Sequence, residues 1–508
     1  MPVLAAVDIG SNSVRLKIAK LTRGKLETIH EDREVTRLGE GVFREGSLSP
    51  ESIALTVKTL ERFKKACERH RVDQVRVVAT SATRDARNAR EFASWVKRAT
   101  GWNMDVISGL EEGRLIHLGV MANSRFSAQR ILFFDLGGGS CEITLTDQGH
   151  ILQVFSIPLG AVRLTQEFVR HDPPTAPDLR RMHDYVREEL VRVAGQVREA
   201  RPELTIATSG TAAAISAAAH AFNPGKKAQF TTRDAAFDLL DELSLRTVKE
   251  RAEIPGINAK RAEIIVAGSM VFAELLRAYD LPGFRYSPLG LRDGILAQMA
   301  ADADGGTREL RRIEAEREDA IAAMCKRYLV DIRHATQVRQ IASQLFKELQ
   351  RLHKVPADYL PYLEAAAMLH EVGYFVNRHG RHRHTWYLIV HSEIFGFDEF
   401  ERMMIAGIAR YMGKSVPQDN DYALRMMPDE AKQHVPKLVS LLRLARALNQ
   451  SRTSAVRQVH ATARPKQVML TLERKPKANA ELELWAAEKE QHFFKHVFGR
   501  ALALSKSK

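Results

Sequence analysis

Asp8-Ile9-Gly10-Ser11-Asn12-Ser13 and Asp135-Leu136-Gly137-Gly138-Gly139-Ser140 share one skeleton, an aspartate followed by glycine and small polar side chains. Glycine permits a tight turn whose backbone N–H groups point outward, and Ser11, Asn12, Ser13 and Ser140 add donors, so such a turn cradles phosphate oxygens. One turn of this kind is equally well explained by hairpin sterics. Two matched copies, with Asp8 and Asp135 ending the preceding strands, read as a clamp for phosphate and metal. Equivalent places after the two aspartates hold Arg15 and Glu142. Asp135 with Glu142 suits Mg²⁺ held through oxygen ligands and water, while Arg15 and Arg84 suit phosphate oxygens. Glu111 and Glu112 stand in the first turn of an expected helix, where acids collect for dipole reasons alone. In a phosphate cleft, one of the two suits a general base acting on water that attacks phosphorus.

Holding these groups requires strand, glycine turn, strand at both copies. Val14, Leu16 and Ile18 alternate with polar neighbours as a half-buried strand does, and Cys141 to Thr146 repeats the pattern after the apolar run 131–134. The domain-sized offset between the copies implies two similar α/β domains facing each other across a cleft. Between them the sequence reads as a helix near 50–70, a strand at 75–79, a helix from about Arg84 and a strand at 104–107. Beyond the second copy come a helix over about 175–200 and a strand at 204–208 that enters an Ala-rich helix through Ser209-Gly210-Thr211. The polar stretch 301–307 closes the α/β region; helices rich in histidine follow, then a strand-bearing tail. The expected division is 1–125, 126–305, 306–454 and 455–508.

The 508 residues carry 76 Lys+Arg against 62 Asp+Glu, a net charge of +14, with 45% hydrophobic residues. Such a chain folds rather than remaining disordered, and its basic excess biases it toward polyanions, although solubility alone also accounts for a diffuse excess. Cys67, Cys141 and Cys325 lie far apart without zinc spacing, which suggests a reducing compartment. Asp8 interrupts the N-terminal apolar run, which excludes a normal signal peptide, and no stretch is long and apolar enough to span a membrane. No P-loop motif occurs, and Glu142 stands where a dinucleotide fingerprint requires its third glycine. No dedicated nucleic-acid motif with interleaved aromatics is present.

The motifs A-V-D-I-G-S-N-S at 6–13, I-S-G-L-E-E-G-R-L-I at 107–116, D-L-G-G-G-S-C-E at 135–142 and S-G-T at 209–211 resemble the exopolyphosphatase/guanosine pentaphosphate phosphohydrolase family. That resemblance covers about residues 1–300 and implies duplicated actin-like (ribonuclease H-like) domains around a central cleft. Ala365 to Gly373 and Gly380 to His384 look like the helical HD-like third domain of the long exopolyphosphatases. A small α+β domain is expected to end the chain. Carried over residue by residue, Glu112 rather than Glu111 is the base that activates water. Asp135 and Glu142 match carboxylates near the metal and terminal phosphate. Gly10, Ser11, Asn12, Ser13, Arg84, Gly137, Gly138, Gly139, Ser140, Ser209, Gly210 and Thr211 match phosphate-contacting positions. The family commonly has alanine where Gly113 stands, so the helix turn carrying Glu112 is expected to be looser by up to about 1 kcal/mol. A metal-binding HD site needs His, His-Asp and a distant Asp, whereas the pair here is His370-Glu371 and the distant position holds Asn449. The incomplete set argues against a second metallohydrolase site, and packing or polyanion contacts are expected of His334, His370, His382 and His384 ahead of metal binding.

The resulting expectation is a cytoplasmic, homodimeric exopolyphosphatase that uses Mg²⁺, with Mn²⁺ as an alternative, and releases orthophosphate from inorganic polyphosphate. Guanosine penta- or tetraphosphate is the alternative substrate. A polyphosphate-dependent phosphotransferase and a non-catalytic alarmone-binding module are the readings from other classes.

Overall fold

Each glycine turn links two antiparallel strands. β1 (Val3–Ile9) pairs with β2 (Val14–Thr22), which pairs with β3 (Lys25–Glu34). β4 (Gln74–Ala79) joins β1 in parallel, and β5 (Met104–Val106) joins β4. β6 (Arg130–Leu136), β7 (Cys141–Asp147) and β8 (His150–Ile157) repeat the antiparallel arrangement; β9 (Leu204–Thr208) lies parallel to β6. β10 (Phe230–Thr232) and β11 (Gly283–Tyr286) complete this second sheet. The orders are β3-β2-β1-β4-β5 and β10-β11-β9-β6-β7-β8, so five strands of the second sheet reproduce the first and β10 is an added edge. The computed structural model describes residues 2–506 except 23, 123–125, 127–129, 223–229, 304–306, 393, 395, 398, 414, 419, 426 and 477. The boundaries expected near 125 and 305 lie outside the described residues.

Period-two alternation explains how β1 serves two cores. Ala5, Val7 and Ile9 face the helix Pro50–Arg69, whereas Leu4 and Ala6 face Leu115, Ile295 and Leu296. Those three side chains come from the helices Gly109–Ala122 and Leu291–Ala303, which meet so closely that a methyl on Gly119 would stand 2.5 Å from Gly294 N. The second sheet has its own core of Leu132, Phe134 and Leu136 against the helices Ala176–Ala200 and Ile265–Ala278.

Two local expectations change. Arg84 closes the short helix Ser81–Asp85, and a separate helix, Ala89–Thr100, follows. The alternating polar residues of β7 are not a solvated face: Glu142, Thr144 and Thr146 are 2%, 2% and 0% exposed. The helix Gly109–Ala122 covers them, and its Gly113 is the reason that it fits. A methyl there would stand 2.6 Å from Val154 Cγ1 and 3.0 Å from Thr144 Oγ1. Gly113 is therefore a close-packing residue whose missing side chain lets the helix approach β7 and β8.

By packing, the chain forms two compact units, Met1–Arg311 and Arg312–Lys508. The first contains both large sheets. In the second, helices Ile332–Glu348, Leu360–Leu369, Arg381–His391 and Val435–Ala447 share one core with β12 (Val456–Ala463), β13 (Gln467–Arg474) and β14 (Ala501–Lys506). Among the described residues no helix is long and apolar enough to cross a membrane.

Candidate functional site

The two glycine turns are built alike, with Gly10 N donating to Ser13 O at 3.1 Å and Gly137 N donating to Ser140 O at 3.0 Å. None of Gly10, Gly137, Gly138 and Gly139 has positive φ. The later turn needs glycine for another reason, because it presses against the first. A methyl on Gly138 would meet Ser11 Cβ at 2.9 Å, and one on Gly139 would meet Ser11 Oγ at 2.9 Å. Ser11 Oγ accepts the N–H of Ala82, tying the first turn to the helix that carries Arg84. Ser209 is the strained member of the group: φ of 84° puts a non-glycine residue in the left-handed region where β9 enters the helix Ser209–Phe222. Its Oγ accepts the N–H groups of Thr211 and Ala212, capping that helix.

These turns line one cavity of about 740 Å³ together with Asp8, Arg15, Glu112, Asp135, Ser209, Gly210 and Thr211. Arg84 and Glu142 lie outside its lining. Arg84 Nη1 donates to Ile107 O at 2.7 Å and stands 3.7 Å from Glu112 Oε2, and Ser156 Oγ donates to Glu142 Oε1 at 2.8 Å. The hairpin registers place Arg15 directly opposite Asp8 and Glu142 directly opposite Asp135. Thr208 Oγ1 donates to Asp135 Oδ1.

The neighbouring glutamates have different surroundings. Glu111 is held in a fork by Arg114, with Nε and Nη2 each 2.7 Å from a carboxylate oxygen. Glu112 Oε2 is buried without a hydrogen-bond partner, as is Glu142 Oε2. Burial raises the Glu112 carboxyl well above the ordinary range; Glu142, Asp135 and Asp8 add repulsion, and Arg84 opposes them. Burial also pushes Glu142 up to about 7 against the pull of Ser140, Arg84 and Ser156, and raises Asp8 against Arg15 and Arg292. Asp135 is raised by burial, with the Thr208 hydrogen bond opposing. These four acids, two with unpartnered oxygens, have the hard-oxygen chemistry of a site for Mg²⁺, which takes one or two carboxylates together with waters and phosphate oxygens. They do not close into a three-ligand cage. Among the described residues, the only group of three with ligand atoms within 4.8 Å of one another is His334, His370 and Glu371 in the second unit.

Sequence reasoning missed a basic wall. Arg33, Arg261 and Arg292 also line the cavity, with Tyr286 beside them. Arg261 Nη1 donates to Thr211 Oγ1 at 3.0 Å, and burial followed by repulsion from Arg33 and Arg15 brings this guanidinium down to about 9. Arg292 Nη1 donates to Leu16 O at 3.0 Å. No local pattern distinguishes these arginines from the chain's many others, and only folding gathers them. Ser156 was missed for the same reason. Of the singled-out histidines, His334 and His370 come together, while His382 and His384 lie outside that group.

The sequence signature of the Ppx/GppA phosphatase family matches residues 17–303, and that of Ppx/GppA phosphatase domain III matches 317–492. Exopolyphosphatase 1 of Mycobacterium tuberculosis is 33% identical over 308 residues, covering 59% of this chain and 90% of that protein. Its counterpart from Mycobacterium leprae is 32% identical over 330 residues, covering 62% and 97%. Among solved structures, the Aquifex aeolicus member of the Ppx/GppA family superposes with a TM-score of 0.51 at 30% identity, covering 59% of this chain and 98% of that one. An exopolyphosphatase from Cytophaga hutchinsonii gives a TM-score of 0.56 at 26% identity, with coverage of 59% and 98%.

Proposed function

The chain belongs to the Ppx/GppA phosphatase family, and on that premise we propose that this hydrolase removes the terminal phosphoryl group of inorganic polyphosphate as orthophosphate. One observation carries the reading: two matched glycine turns press together in the same cavity that Glu112 lines with a buried, unpartnered carboxylate oxygen. In this reading, N–H groups and hydroxyls at 10–13, 137–140 and 209–211 hold the chain-end phosphate. Arg15, with Arg33, Arg261 and Arg292, balances the charge of the phosphates behind it. Glu112 takes the proton of the attacking water, and the burial that raises its pKa makes its ionised form a stronger base than an ordinary carboxylate. Glu111 is unsuited, since Arg114 occupies both its oxygens. Arg84, 3.7 Å from Glu112, orients the base and favours its ionised form. Asp8, Asp135 and Glu142 would hold Mg²⁺ or Mn²⁺, which when bound supplies charge neutralisation at the transferring phosphoryl oxygens. Ser156 and Thr208 orient two of those acids. The likeness of the second unit to HD phosphohydrolases belongs to the same reading.

Guanosine pentaphosphate is the second reading, favoured by Tyr286, which brings an aromatic ring to the cavity among the arginines. Phosphate release from long-chain polyphosphate, guanosine pentaphosphate and ATP, with and without divalent ion, separates the cases. The expected result is metal-dependent release from polyphosphate that Glu112→Gln slows by at least about a hundredfold. Absence of release, or equal release by that variant, would falsify the assignment.

A further inference from the structure

The second unit holds a cluster that has the ligand types of a metal site but not its hydrogen-bonding pattern. His334, on the helix Ile332–Glu348, and His370, capping the helix Leu360–Leu369, are each 3% exposed, and neither Nε2 has a hydrogen-bond partner. Glu371 Oε1 stands 3.9 Å from His334 Nε2, 4.0 Å from His370 Nε2 and 2.6 Å from Arg452 Nη2. The outer hydrogen bonds decide what this pocket accepts. His370 Nδ1 lies 2.7 Å from Ala367 O; a carbonyl only accepts, so Nδ1 carries the proton and Nε2 presents a lone pair. Asn449 is fully buried, and its Oδ1 accepts the backbone N–H of Ser454 at 3.0 Å. Its Nδ2 is thereby turned toward His334 Nδ1, 3.0 Å away, and must donate to it. The His334 proton consequently resides on Nε2. One imidazole offers an N–H and the other a lone pair, both beside the same carboxylate oxygen.

We propose that this pocket holds a single water molecule and that Asn449 is the residue that keeps divalent metal out of it. The water accepts from His334 Nε2–H and donates to His370 Nε2 and Glu371 Oε1, so that both orphaned nitrogens gain partners. A metal ion needs lone pairs from both rings, and the Asn449 amide denies it the one on His334. Spacing and charge agree. Ligand atoms around tetrahedral zinc stand about 3.4 Å apart, closer than the 3.9 and 4.0 Å here, and Arg452 donates to the very oxygen that a metal would use. The inference is independent of the reading given to the cleft in the first unit.

Asn449→Asp provides the test, because a carboxylate accepts from both Ser454 N–H and His334 Nδ1–H and so turns the His334 lone pair into the pocket. Metal-stripped full-length wild type, Asn449→Asp, His370→Ala and Asn449→Asp/His370→Ala are titrated with Co²⁺ and followed by visible absorption. The His370→Ala proteins supply the background from the cleft and from other histidines. The wild type should match its background, whereas Asn449→Asp should gain one equivalent bound at least tenfold more tightly, lost in the double variant. Histidine-selective ¹⁵N NMR of the wild type, which needs no substitution, should find the His334 proton on Nε2. A Co²⁺ equivalent in the wild type that disappears in His370→Ala, a folded Asn449→Asp that gains none, or a His334 proton on Nδ1 would each overturn the proposal.

Discussion

Asp8 and Asp135 occupy one register position in two copies of a hairpin, yet their cross-strand neighbours carry opposite charge, Arg15 in the first lobe and Glu142 in the second. The turns between them close with the same hydrogen bond. Duplication therefore accounts for the scaffold, and the chemistry comes from the position where the copies diverge. The first lobe sets a cation beside its acid, with Arg292 adding charge, which suits the polyanion proposed as substrate. The second sets acid against acid and covers them with the helix that carries Glu112, so that three carboxylates are buried near one another without enough positive charge to balance them. Such a cluster favours a proton or a dication over the empty ionised state.

The sharpest way to break this contrast is Glu112→Gln, which should lower kcat by about 10² to 10⁴ with little change in KM. A loss below tenfold in steady-state phosphate release would remove Glu112 from the chemistry. Next comes the pH dependence of stability. Glu142 has a pKa of about 7 in the folded chain against 4.5 for an unperturbed glutamate, so the folded form binds the proton more tightly. Its stabilising contribution is complete below 4.5 and is lost as pH rises through about 7. Metal-free protein should melt lower at pH 8 than at pH 5, Glu142→Gln should flatten the profile, and Mg²⁺ should restore the wild-type Tm at pH 8. A flat wild-type profile contradicts the crowded-acid account of the second lobe.

Gly113→Ala probes the fit of the covering helix. Overpacking against Val154 and Thr144 should cost about 1–3 kcal/mol and reduce kcat by shifting Glu112. Wild-type Tm together with wild-type kcat would show that the helix has room to spare. The smallest effect belongs to the first lobe: Arg15→Gln should raise KM for polyphosphate roughly tenfold, leave kcat within a few-fold and weaken the salt dependence of KM. A change confined to kcat would reverse the roles assigned to the two lobes.

Much of this arrangement is legible before folding. The glycine turns follow from small residues between alternating strands, and the Glu111-Glu112 pair from its place after a strand, because turn sterics and side-chain periodicity act over a few neighbours. Burial of Glu142, Thr144 and Thr146 is not legible, since their alternation with apolar residues describes an open face and takes no account of a helix arriving from elsewhere in the chain. Gly113 reads differently once packed: helix propensity treats it as a weakness, whereas β7 and β8 press closely on the space its missing side chain leaves.

Residue order alone specifies the repeated strand-turn-strand units, the acids and hydroxyls within them, the succession of α/β and helical segments and the family. Which glutamate is tied up by Arg114 and which has a buried unpartnered oxygen, which arginines gather beside the turns, and which group faces His334 Nδ1 all depend on long-range packing. Local pattern sets backbone path because its forces reach only a few residues. Charge, tautomer and protonation respond to groups such as Asn449 and Ser156, distant in the chain and brought within hydrogen-bond reach only by long-range packing.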